Sequence, residues 1–169
     1  ESPNVVHAVF GTVGGGYGNQ AGGVAGTPPS AACATVGGGV VNMASGNYST
    51  VGGGASNSAT SRGGTVSGGE SNAASSNYST VGGGGGNNAT GFASIVGGGS
   101  INTASGQQST VPGGMENTAS GNYSFAAGRR AKAVANGSFV WADATNLDFP
   151  ANLNPNFFAV RATGGVGFT

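Results

Sequence analysis

Apolar and polar positions follow one another along this chain in a unit that returns every fifteen residues, marked by valine at Val36, Val51, Val66, Val81, Val96 and Val111. Aligned on these valines, the units read Asn-x-Ala-Ser-Gly-x-Tyr-Ser-Thr-Val-Gly-Gly-Gly-x-x. A fixed period of this size, held through most of a chain, predicts a solenoid in which each repeat is one coil that buries its apolar face only by stacking. Within the unit, Tyr-Ser-Thr-Val is β-branched or aromatic and bounded by glycine, which predicts a strand of about four or five residues. Asn-x-Ala-Ser predicts a second, weaker strand, with turns around Ser-Gly and at the glycine run. Stacked in parallel at about 4.8 Å, roughly nine such coils make a rod about 40 Å long.

Each position of the unit then becomes a column running along the rod. The asparagine column (Asn19, Asn42, Asn57, Asn72, Asn87, Asn102, Asn117) and the alanine column (Ala21, Ala44, Ala59, Ala74, Ala89, Ala104, Ala119) vary least. Valine and alanine are therefore assigned to a thin core, and asparagine to an amide ladder bonded from coil to coil. The column two before the threonine reads Phe10, Cys33, Tyr48, Gly63, Tyr78, Ala93, Gln108 and Tyr123, and accepts almost any side chain. Its members Tyr48, Tyr78 and Tyr123 are candidate binding residues, because an exposed tyrosine column can stack on sugars or proteins. Threonines at Thr35, Thr50, Thr65, Thr80 and Thr110 form another regular column, an array of the kind that faces ice, although threonine is also simply a good strand residue.

The register divides the chain into three parts. Residues 1–34 hold the N-terminal coils with a loop insertion near 24–30 that contains Pro28 and Pro29, residues 35–128 hold the regular repeat, and residues 129–169 hold the last coil and an aromatic-rich closing segment. Phe139, Trp141, Phe157 and Phe158 in that segment are assigned to packing of the cap and of subunits, as a bulkier core than any coil provides. Arg129, Arg130 and Lys132 cluster where the repeat ends and are read as a polar cap over the last coil.

Composition sharpens this picture. Glycine contributes 37 of 169 residues, and eight of the thirteen aromatic residues lie at or after Tyr123. Each coil therefore buries little more than one valine and one alanine while ordering many glycines, whose conformational entropy is the largest of any residue. A lone rod of this kind is short of apolar burial, which predicts a homo-oligomer. Formal net charge is zero, so no electrostatic footprint for nucleic acid or an anionic membrane is visible. No apolar run is long enough to cross a bilayer, and no secretory signal peptide is recognised. The one cysteine, Cys33, excludes an intrachain disulfide and is read as a small buried hydrophobe.

The stretch Tyr123-Ser-Phe-Ala-Ala-Gly-Arg-Arg-Ala-Lys-Ala133, followed by Gly137-Ser-Phe-Val-Trp-Ala-Asp143, resembles the head repeats of trimeric autotransporter adhesins of the YadA type. The closing Asn156-Phe-Phe-Ala-Val-Arg-Ala-Thr-Gly-Gly-Val-Gly-Phe168 resembles the segment that ends such heads, and related phage-like tail-fibre heads, before a stalk. That resemblance implies a left-handed parallel β-roll assembled as a homotrimer, placed on a cell surface or an appendage. It implies adhesion to host, matrix or glycan surfaces.

Catalytic chemistry finds little footing. Glu1, Glu70, Glu116, Asp143 and Asp148 are scattered, and His7 is the sole histidine, so no paired acid and base is apparent. The glycine runs lack the repeated Asp of calcium-binding solenoids and the Gly-Lys-Ser/Thr of a phosphate loop. The expectation is an all-β parallel solenoid without enzyme activity, metal or cofactor, working as a structural and adhesive head. Two alternatives remain: a subunit of an extracellular filament, or an ice- or carbohydrate-binding solenoid.

Overall fold

A computed structural model describes residues 3–23, 32–149 and 154–167. The expected insertion near 24–30 lies outside the described residues. The fold is a parallel β-solenoid of about ten turns, one more than the repeat alone predicts. One sheet carries the strands Val5–Val6, Gln20–Ala21, Met43–Ala44 and their successors to Lys132–Ala133, each paired in parallel with the next. The facing sheet carries Thr12–Val13, Thr35–Val36, Thr50–Val51 and their successors, then Phe125–Arg129, Phe139–Ala142 and Phe158–Arg161. In both sheets like pairs with like: Val51 lies beside Val66, and Ala59 beside Ala74.

The extra turn comes from beyond the repeat. Phe158–Arg161 enters the sheet in parallel beside Phe139–Ala142, matching Ala159 to Val140 across a nineteen-residue step. Arg129, Arg130 and Lys132 are consequently not a lid over the last coil, because two more strands lie beyond them. Arg130 instead pairs with Glu116 at 3.3 Å and Asp148 at 2.9 Å, and Lys132 Nζ donates to the Glu116 carbonyl at 2.9 Å.

Strands in the regular coils are shorter than expected, at two residues each. Tyrosine does not belong to them. Tyr48, Tyr78 and Tyr123 have φ near +60°, as do Phe10, Cys33, Gly63, Ala93, Gln108, Gly137 and Asn156 in the same column. Each of these corner residues after the first sends its N–H back to the preceding coil: Tyr48 to the Ala32 carbonyl, Tyr78 to Arg62 and Tyr123 to Gln107, at 2.8–2.9 Å. The residue after it turns inward, so the corner bends left-handed whichever side chain it carries.

The interior has the expected columns. Val36 to Val111 on one sheet face Ala21 to Ala119 on the other, and all are fully buried. The asparagines run alongside as a continuous ladder. Asn72 is typical: its backbone N–H and Nδ2 both donate to Asn57 Oδ1, at 3.0 and 3.1 Å, and Nδ2 also donates to the carbonyls of Gly68 and Gly84. Asn72 Oδ1 then accepts the Asn87 N–H at 3.0 Å. The ladder begins one rung before the asparagine column named from the sequence, at Asn4, fifteen residues ahead of Asn19, and the Asn4 Oδ1 accepts from Asn19. It ends where the Asn117 Oδ1 accepts the Ala131 N–H.

One glycine column is required by this ladder. At Gly84, with φ +88°, an added Cβ would sit 2.1 Å from the Gly99 carbonyl oxygen and 2.8 Å from Asn87 Nδ2. The turn thus gives up its side chains so that asparagine can reach the backbone of two coils. Buried serines close the opposite corner, as where Ser49 Oγ donates to the Gly46 carbonyl at 2.7 Å.

Candidate functional site

The interior is filled by the valine and alanine columns and the asparagine ladder, so the candidate sites lie on the surface, where the coil presents two outward sheet faces and two corners. The tyrosine column lies on the Ser-Gly corner. Tyr48, Tyr78 and Tyr123 are 57%, 48% and 62% exposed, and Phe10 joins them. Tyr78 is the most engaged: Phe92 meets its ring edge-on at 5.8 Å, the Arg62 guanidinium stands 6.0 Å from its centroid, and the ring leans over Gly63. Around the rings stand amides. Asn47 and Asn122 use their Oδ1 atoms to accept backbone N–H groups of Ala32 and Gln107, which orients their Nδ2 groups as remaining donors. Cys33 sits in this same column and is exposed, not buried, because the corner points every side chain outward.

The threonine column faces outward on the valine-bearing sheet, in register from Thr12 through Thr35, Thr50, Thr65 and Thr80, but Ile95 interrupts it before Thr110. Beyond Thr110 the same column becomes aromatic. Phe125, Phe139 and Phe158 stack at 4.6 and 5.0 Å with nearly parallel rings. These rings lie on the outer face, so Phe139 and Phe158 do not form the bulkier core expected of them. Strand alternation explains it: Ala126, Val140 and Ala159 take the inward positions, so Phe125, Phe139, Trp141 and Phe158 must point out. Phe158 is 69% and Trp141 37% exposed, while Phe157 packs partly buried against the core. Beside Trp141, at the glycine-run corner, lies an open apolar groove of about 560 Å³ walled by Met115 and floored by Gly99, Gly114 and Gly128.

An ionic latch secures this end. Arg161 Nε pairs with Asp143 Oδ1 at 3.0 Å, and its Nη groups donate to the carbonyls of Leu147, Arg129 and Thr145. Asp143 also accepts the backbone N–H of Thr163 at 2.8 Å and of Thr145 at 3.0 Å. The Thr163 N–H first, and then Thr145, hold the Asp143 carboxyl well below the ordinary aspartate range against a smaller opposing effect of desolvation. Asp143 thus ties the 143–149 loop to the last strand.

Among the described residues no three His, Cys, Asp or Glu side chains gather as a metal site, and no helix is long and apolar enough to cross a membrane. Three surface features therefore stand as candidates: the aromatic Ser-Gly corner, the interrupted threonine column, and the outward C-terminal aromatic stack with its groove. The sequence pointed to the first two through their columns. Of the third it marked Phe139, Trp141 and Phe158 but set them in the core, because their direction depends on register. Comparison with known proteins finds no family model that matches the chain and no curated protein that is similar to it.

Proposed function

We propose that this chain is a non-catalytic, surface-presenting rod that assembles with copies of itself through its C-terminal aromatic face and serves as the adhesive head of a cell-surface adhesin or tail-fibre-like appendage. The observation that carries the reading is the outward stack Phe125–Phe139–Phe158, with Trp141 and the adjoining groove, the one place among the described residues where three rings stack on one another on an outer face. Contiguous exposed aromatic surface of this kind marks an association face. A homotrimer is the assembly this reading commits to, on the resemblance of the 123–143 and 156–168 stretches to YadA-type heads. The rod needs only stiffness and reach to display its remaining surface, and the continuous asparagine ladder supplies the stiffness.

Light scattering coupled to size exclusion tests this directly. A discrete species of about three times the 15.9 kDa chain mass supports it, and a stable folded monomer overturns it. A filament subunit is the second reading, favoured by Val6, Val9 and Phe10, which are exposed together on the first coil. Long polymers in the same measurement would select it.

A further inference from the structure

The geometry points to the aromatic Ser-Gly corner as a binding track for a neutral, extended β-1,4-linked polysaccharide, an inference that rests on the adhesive reading above and names its ligand class. The spacing is the first argument. Phe10, Tyr48 and Tyr78 occupy every second coil of the corner column, with Cys33 and Gly63 between them, so their corner positions stand about 9.6 Å apart along the rod. That interval is close to the length of one disaccharide in an extended β-1,4 chain, whose sugar faces present C–H groups suited to aromatic rings. Tyr123, three coils beyond Tyr78, continues the track out of step.

Chemistry between the rings is the second argument. Asn47, Asn77, Gln107 and Asn122 flank them with amides, and the Oδ1 atoms of Asn47 and Asn122 are already engaged, which leaves N–H donors for ligand hydroxyls. From Ser45 to Gly137 the corner carries no carboxylate and a single cation, Arg62. A neutral polyhydroxyl ligand fits such a surface, whereas an anionic polysaccharide would need a row of cations.

The backbone is the third. Tyrosine at φ near +60° is disfavoured, and glycine or asparagine fills the position without that cost at Gly63, Gly137 and Asn156. Aromatic residues nevertheless occupy four of the positions while keeping about half or more of their surface exposed, so burial within the fold repays little of the strain.

The test uses the full chain and its Y48N/Y78N variant on microcrystalline cellulose, alongside immobilised matrix proteins. Asparagine tolerates the corner geometry, so the variant should keep its mass and circular dichroism while retention on cellulose falls about tenfold. A second variant, Gln108→Tyr, extends the two-coil series by one ring and should raise retention; it keeps the test readable if the first variant fails to fold. Cellulose retention unchanged in both variants overturns the track while leaving adhesion standing, as does retention on matrix protein alone. No retention of the wild-type chain on any surface overturns both.

Discussion

Removing one rung of the asparagine ladder is the most demanding test of how the rod holds together, and Asn72→Ala places the break at its middle. Asn72 is buried, and its loss has three consequences. The buried Asn87 N–H loses its only side-chain acceptor, a cost of about 1–3 kcal/mol. Gly68 O and Gly84 O lose the Nδ2 donor, although Gly84 O keeps the Glu70 N–H, so about 1 kcal/mol more is forfeited. A small void replaces the amide, adding about 1 kcal/mol. The expected total is about 3–5 kcal/mol, large for one surface-free substitution. Denaturant unfolding followed by far-ultraviolet circular dichroism, at fixed protein concentration, reads it. Because each coil contacts only its neighbours, the break should also broaden the transition. Asn4→Ala, at the exposed first rung, should cost about 1 kcal/mol or less. A loss below about 1 kcal/mol for Asn72→Ala, or equal losses for the two, would refute the ladder as a main source of stability.

Other expectations follow from the same geometry. Gly84→Ala should abolish or severely reduce folding, since its Cβ would collide with the Gly99 carbonyl, whereas the adjacent Gly85→Ala, with nothing within 4 Å, should leave the melting temperature unchanged or slightly raised. Asp143 has its carboxyl depressed in the fold, so its latch contributes stability above the ordinary aspartate value of 3.8 and loses it as pH falls below that value. Trp141 fluorescence should therefore be flat from pH 7 to about 4 and change at lower pH; Asp143→Asn should show the altered signal already at pH 7, and a wild-type transition near pH 6 would contradict this account. Trp141→Ala should lower the mass measured by light scattering without loss of β-structure, and an unaltered oligomer would count against the aromatic face as the assembly surface.

Whatever repeats in this protein is legible from its amino-acid order alone. Inside a solenoid every residue of a column meets the same surroundings, so the valine and alanine core, the asparagine ladder and the glycine turn each leave a period of fifteen that can be read without coordinates. Asn4 stands in step, fifteen residues before Asn19, but Val6 replaces the alanine of its coil and no glycine run precedes it, so the consensus does not mark it. Features that do not repeat, or that depend on direction, emerge only from the folded chain. Tyr48, Tyr78 and Tyr123 read as strand residues by propensity, yet the N–H bond each makes to the preceding coil forces the corner conformation that propensity disfavours. Phe139, Trp141 and Phe158 read as core by bulk, yet the pairing of Ala126, Val140 and Ala159 sends them outward. Arg161 and Asp143 meet only because Phe158–Arg161 joins the sheet as a further strand, a step of nineteen residues that no local pattern encodes. Periodicity reports an environment shared by neighbours, whereas register and strand entry are set by long-range pairing of particular backbone groups.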